Sequence, residues 1–264
     1  MDREFTAANE RSSQATGPAR LTGPTSQILS SRGCGIATSC LVEITGRTGL
    51  CDAQNRDCPV RRQTVINNLE RCGINMRFYG CSFANIEKED IPASIREPYS
   101  QVKGYSRKIK ENIEAGRGLL LKGSIGTMKT TLAVAVLLEY IARGGNGFFI
   151  NMSGLLDNIF TSKARSPGEW VKFEQRLREI PLLVLDDLGA EHSEGWVLTK
   201  VDAIIAERYN RCLPVIITTN MSTEQLRDTY AERVIDRLRS TMQVVTFSGQ
   251  SLRPSETKEG GEAK

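Results

Sequence analysis

Between residue 82 and residue 253 the chain alternates short apolar runs with segments whose apolar residues recur every three or four positions. The runs GLLLKG (118–123), GFFIN (147–151), PLLVLDD (181–187), PVIITTN (214–220) and VVTFS (244–248) have the length and continuity of strands buried on both faces. Helical spacing fills the intervals: Lys129 to Ala142, a segment through Trp170, Phe173 and Leu177, and another through Val201, Ile204, Ile205 and Arg208. A further helix begins near Ser222, whose hydroxyl suits an N-cap. Continuous apolar strands alternating with helices predict an α/β fold, a central parallel sheet covered on both faces.

The flanks read differently. Residues 1–30 are rich in Ser, Thr, Ala, Gly and Pro and carry few large apolar side chains, so they are expected to be a disordered tail, as is 254–264. Residues 31–68 form a small Cys-containing N-terminal module ahead of a domain spanning 69–253. The 264 residues hold seven cysteines, one histidine (His192) and a net charge of +4. An odd cysteine count with no apolar signal segment argues against a disulfide framework and for a cytoplasmic protein, with no membrane partner. The mild charge permits nucleic-acid contact without arguing for it.

Chemistry concentrates at Gly123, Ser124, Ile125, Gly126, Thr127, Met128, Lys129, Thr130 and Thr131. The stretch follows a strand, opens a helix and nearly matches G-x-x-x-x-G-K-[ST], in which backbone N–H groups cradle phosphates, the lysine reaches the outer ones and the hydroxyl holds Mg²⁺. Met128 stands where the pattern has glycine. Its β-carbon either crowds a phosphate or is tolerated if the local backbone stays right-handed. A Gly-rich turn between strand and helix is the plainer reading. Some sixty residues on, Asp186 and Asp187 end a buried strand, where ligands bind in parallel sheets. Asp186 is then the Mg²⁺ partner with Thr130, and Asp187 orients the attacking water. Together the two motifs predict an ATP and Mg²⁺ site.

The order GxxGxxKT, LLVLDDLGAE, ITTN, ERVIDRLR resembles the AAA+ ATPases of the bacterial and phage helicase-loader group (DnaC-like and DnaI-like), and the related IstB-like transposition helpers. The resemblance covers about Leu69 to Arg253 and implies a P-loop AAA+ three-layer fold. It places Asn220 as the sensor that polarises the attacking water, Arg233 and Arg237 as arginines used in trans with Arg237 as the finger, and Arg253 as a second sensor. A solvated basic face pairing Arg233 and Arg237 with Glu232 and Asp236 reads the same residues without catalysis. The segment LERCGINMRFYGCSFANI (69–86) resembles the lead-in to that domain, with an aromatic near the base pocket.

The resemblance implies slow ATP hydrolysis stimulated by self-association or a partner, a hexameric replicative helicase as that partner, and single-stranded DNA. Its alternatives are a helper of a transposase and an adaptor that binds nucleotide but hardly hydrolyses it. Cys34, Cys40, Cys51 and Cys58 occupy the position of a zinc-binding module in DnaI-like members, but their spacings are wider than a zinc knuckle's, so zinc and scattered thiols both remain open. Cys72, Cys81 and Cys212 are expected to be buried packing residues, and His192 a surface residue. The run VKGYSRKIK (102–110) offers Tyr105 among four basic residues, either as a nucleic-acid strip or, preferred, as the solvated face of an amphipathic helix.

Overall fold

The computed structural model describes residues 66–87, 91–165, 167–189 and 195–253, and those from Asn68 onward belong to one structural unit. The two tails, the cysteines from Cys34 to Cys58 with their zinc reading, and His192 lie outside the described residues.

Five strands, β1 (Gly118–Gly123), β2 (Gly147–Asn151), β3 (Leu182–Leu188), β4 (Val215–Thr219) and β5 (Met242–Phe247), form one parallel sheet in the order β2-β3-β4-β1-β5. The helices are α1 (Phe83–Ile86), α2 (Ala93–Arg107), α3 (Ile109–Glu114), α4 (Lys129–Ala142), α5 (Met152–Arg165), α6 (Pro167–Glu179), α7 (Gly195–Asn210), α8 (Thr223–Thr229) and α9 (Glu232–Thr241). Strand pleating assigns the two faces. Leu119 and Leu121 of β1 pack with Val102 and Tyr105 of α2 and with Leu132 to Leu137 of α4. Leu120 faces the opposite layer, built from Leu155, Leu177, Val201, Ile205, Val234 and Leu238 on α5, α6, α7 and α9. The result is the three-layer arrangement that continuous apolar strands require.

β4 is buried throughout, whereas β5, at an edge, alternates buried Val245 and Phe247 with exposed Val244 and Thr246. At the other edge the Cys72 carbonyl accepts from Phe149 N–H at 2.8 Å. Gly73 allows this approach: it sits at φ +75°, and a β-carbon there would lie 2.1 Å from the Phe149 carbonyl oxygen. Helix α8 starts as predicted, with Ser222 and Gln225 forming a reciprocal capping box.

One expectation is corrected. Cys212 is exposed, in a left-handed turn (φ 54°) after α7; only Cys72 and Cys81 pack, half-buried, against the core. Of the two readings of the run 102–110, the nucleic-acid strip loses its aromatic: Tyr105 is buried and donates its hydroxyl to the Arg117 carbonyl at 2.6 Å. The run, which spans the end of α2 and the start of α3, sets core residues Val102, Tyr105 and Ile109 beneath exposed Arg107, Lys108 and Lys110.

Candidate functional site

A cleft of about 610 Å³ opens at the C-terminal ends of β1, β3 and β4. The sheet order explains its place. β1 lies between β4 and β5, so the connections leaving β1 and β3 go to opposite sides, and a crevice opens where they part. The residues 125–131, Asp186, Asp187, Asn220 and Arg253 all line it.

The loop turns sharply out of β1. Gly123 has φ +137°, and a β-carbon there would lie 1.8 Å from the Phe247 carbonyl oxygen of β5. Met128 takes φ 67°, ψ 12°, the left-handed conformation, as the N-cap of α4. The condition for easy tolerance, a right-handed backbone, is therefore not met: the methionine adopts the shape a glycine would have, at a cost of roughly 1–2 kcal/mol. Its side chain is partly buried against the core beside α4 and also lines the cleft. The strap after β5 braces the loop from outside, with Leu252 N–H donating to the Gly126 carbonyl at 2.9 Å.

Lys129 is 6% exposed, and its ammonium donates to the Gly123 carbonyl (2.9 Å), the Ser124 carbonyl (2.7 Å) and Asn220 Oδ1 (2.8 Å). All three acceptors are neutral. Burial lowers the lysine's pKa, against the opposing pull of Asp187 and Asp186, and Arg253 lowers it further. A buried cation held only by neutral oxygens fits a site built for an anion.

Asp186 and Asp187 are adjacent, and in a regular strand they would point to opposite faces. The β3–β4 register shifts between Leu185 and Leu188, and Asp187 sits at φ 61°, so both line the cleft. Thr218 joins them: its hydroxyl donates to Asp186 Oδ1 at 2.7 Å and accepts from Asp187 N–H at 2.8 Å. Asn220 Nδ2 donates to Asp187 Oδ1 at 2.8 Å. Asp186 is buried, which raises its pKa, with hydrogen bonds from Thr218 and Thr130 opposing. Thr130 and Asp186 thus present hard oxygens side by side, the donor set that suits Mg²⁺.

Sequence reasoning overlooked Thr218, whose role follows from its register on β4, and Arg77, which lines the cleft beside Asn75 and Phe78. Phe78, whose ring centroid lies 5.7 Å from that of Phe149, is the aromatic of the segment 69–86 that lines the cleft. Arg233 and Arg237 are not in this cleft. They lie on α9 and converge on Asp202 of α7, not on Glu232 or Asp236.

A parallel sheet with a phosphate loop leaving β1 and paired acids ending β3 defines a P-loop AAA+ nucleotide-binding domain. The chain belongs to the family of IstB-like ATP binding proteins, which its residues 106–260 match. It is 24% identical over 193 residues to the replicative helicase loader DnaC of Escherichia coli K12, covering 73% of this chain and 75% of that one. It is 30% identical over 205 residues to an ATP-binding protein in an insertion sequence of Mycobacterium tuberculosis, covering 73% and 78%. The crystal structure of a DnaC helicase loader superposes with a TM-score of 0.58 at 26% identity, over 66% of this chain and all of that one. Among the described residues no helix is long and apolar enough to cross a membrane.

Proposed function

We propose that this chain is an ATPase that uses nucleotide binding and slow turnover to load a hexameric replicative helicase onto single-stranded DNA. The observation that carries the ATPase reading is the hydrogen-bonded chain Lys129–Asn220–Asp187–Thr218–Asp186 at the mouth of the sheet. The chain sets an ammonium and two carboxylates in one cleft, which supports roles for Asp187 in orienting water and for Asp186 in holding a cation.

The loop N–H groups and the Lys129 ammonium hold the outer phosphates, exchanging their present neutral partners for charged oxygens. Thr130 and Asp186 would hold Mg²⁺, which would supply charge neutralisation on the transferring phosphate. Asp187 orients the attacking water, and Asn220 fixes the carboxylate while its amide oxygen holds Lys129. Arg253 reaches the same cleft as a second sensor. Arg233 and Arg237, away from the cleft of their own chain, serve the site of a neighbouring copy, so that hydrolysis depends on self-association. The glycine-like backbone of Met128 supports a working loop over an inert adaptor.

Support for the loader reading comes from matches to helicase loaders of two kinds, DnaC of Escherichia coli and DnaI of Bacillus subtilis. The insertion-sequence relative, at higher identity, favours a second reading as ATPase helper of a transposase. Size-exclusion chromatography of the full chain with its replicative helicase, with and without ATP and Mg²⁺, tests the two. An ATP-dependent co-eluting complex supports the loader. Separate elution in every condition, with co-elution of the chain and a transposase on duplex DNA, overturns it in favour of the helper.

A further inference from the structure

Helix α9 packs against α7 along Val201, Ile205, Val234 and Leu238. Within this apolar seam stands one carboxylate, Asp202, buried to 9% exposure. An acid is costly in such a seam unless it is paired. Arg233 donates both Nε (2.9 Å) and Nη2 to Asp202 Oδ2, and Arg237 donates Nη1 to Oδ1 at 3.3 Å. Spaced four apart, the two arginines leave one helix face together. One negative charge meets two positive ones, so the cluster keeps a net positive charge at the surface.

The geometry also shows which parts of each arginine are engaged. A guanidinium carries five N–H donors. Asp202 takes two from Arg233 and one from Arg237. Neither arginine makes another ion pair among the described residues. The Arg233 side chain is 66% exposed, and that of Arg237 is 26% exposed, with its guanidinium 5.8 Å from the Tyr209 ring centroid. Asp202 therefore takes only part of the pair's donors, and the exposure of the side chains, greatest at Arg233, leaves others open to solvent.

We infer that Asp202 is a positioning residue: its buried carboxylate sets Arg233 and Arg237 side by side so that their remaining N–H donors meet the triphosphate bound by a second copy of this chain. The inference rests on the proposed use of these arginines in trans and adds what aims them. A mobile arginine would spend part of the binding energy on its own ordering. A pre-set one does not, and misplacement by an ångström can cost a factor of about a hundred in rate.

The test is a mixing experiment. Lys129→Ala lacks a working phosphate loop but keeps its arginines, while Arg237→Ala keeps the loop and lacks the finger. Mixed, the two should recover ATP hydrolysis that neither shows alone, because the first lends its arginine to the second. The arginine donor is then replaced by Lys129→Ala/Asp202→Asn. The expected result is a fall in kcat of about ten- to a hundredfold with KM for ATP unchanged, and partial recovery with Lys129→Ala/Asp202→Glu, which keeps the charge. A purely structural role would instead lower the melting temperature of the donor and leave the rate per folded donor unchanged, and that result overturns the proposal. Equal stimulation by the Asp202→Asn donor overturns it too, while leaving arginine use in trans intact. No recovery in the first mixture overturns the trans reading itself, and the proposal with it. Thermal melting of each donor beforehand separates misfolding from mispositioning, and Asp202→Glu carries the test if Asp202→Asn does not fold.

Discussion

Asn220 Oδ1 accepts a hydrogen bond from Lys129 Nζ at 2.8 Å, joining the end of β4 to the start of α4 across 91 positions of sequence. The same amide donates through Nδ2 to Asp187. One neutral side chain thus ties the phosphate-binding cation to the water-orienting anion. Asn220→Ala is expected to leave ATP affinity within severalfold and to lower kcat by about a hundredfold, the scale of losing one pre-set polar group. Steady-state phosphate release beside equilibrium binding of a fluorescent ATP analogue checks it. Equal losses in affinity and turnover would mean that Asn220 serves only to shape the loop.

Lys129→Ala removes the ammonium that the loop carbonyls now hold. The wild-type protein should gain about 2.7 kcal/mol of stability from ATP and Mg²⁺ at a hundred times Kd. The variant should gain almost none at the same concentration. Thermal melting with and without nucleotide measures this.

Met128 holds φ 67°. Met128→Gly should relieve the left-handed strain and stabilise the nucleotide-free protein by about 1 kcal/mol, a rise of about 2–4 °C in Tm. Met128→Val, β-branched at the same backbone angle, should lower both Tm and ATP affinity. A loss of stability in the glycine variant would show that the methionine side chain's packing outweighs its backbone cost.

Burial raises the pKa of Asp186. A carboxyl whose folded pKa lies above its unfolded value binds more protons folded than unfolded, so its ionisation costs stability as pH rises through that folded pKa. Asp186→Asn should therefore raise Tm of the nucleotide-free protein at pH 7, with a gain that shrinks toward zero at acid pH where the wild-type group is already neutral. Hydrolysis should be lost in the same variant. Melting curves at pH 3.5, 5 and 7 check the sign.

Arg208 is fully buried, and its guanidinium donates to the carbonyls of Leu177, Ile180, Pro181 and Pro214, tying α6 and the start of β3 to the start of β4. With no carboxylate among these partners, burial lowers its pKa to about 9. Arg208→Ala orphans four carbonyls and should destabilise the domain by about 3 kcal/mol or more. Urea denaturation measures the loss, and one below 1 kcal/mol would show that water replaces the guanidinium.

The hydrophobic pattern by itself determined the five strands of this protein and the helices α4, α6 and α7. α4 spans Lys129–Ala142 as read from spacing, and every predicted strand is present with ends shifted by no more than two residues. It did so because burial on two faces leaves a strand no polar alternation, and because a phosphate loop needs its glycines, lysine and hydroxyl close together in sequence. What depends on residues far apart was decided only by tertiary structure. The strand order decided that Thr218 stands between two carboxylates, and a register shift near Asp187 turned both acids into one cleft. Helix packing decided between the two readings of Tyr105, which is core, and decided that Cys212 is exposed and that Arg233 and Arg237 answer to Asp202 rather than to their neighbours on α9. A charge finds its partner by distance in space, and for these pairs that distance was set by the fold.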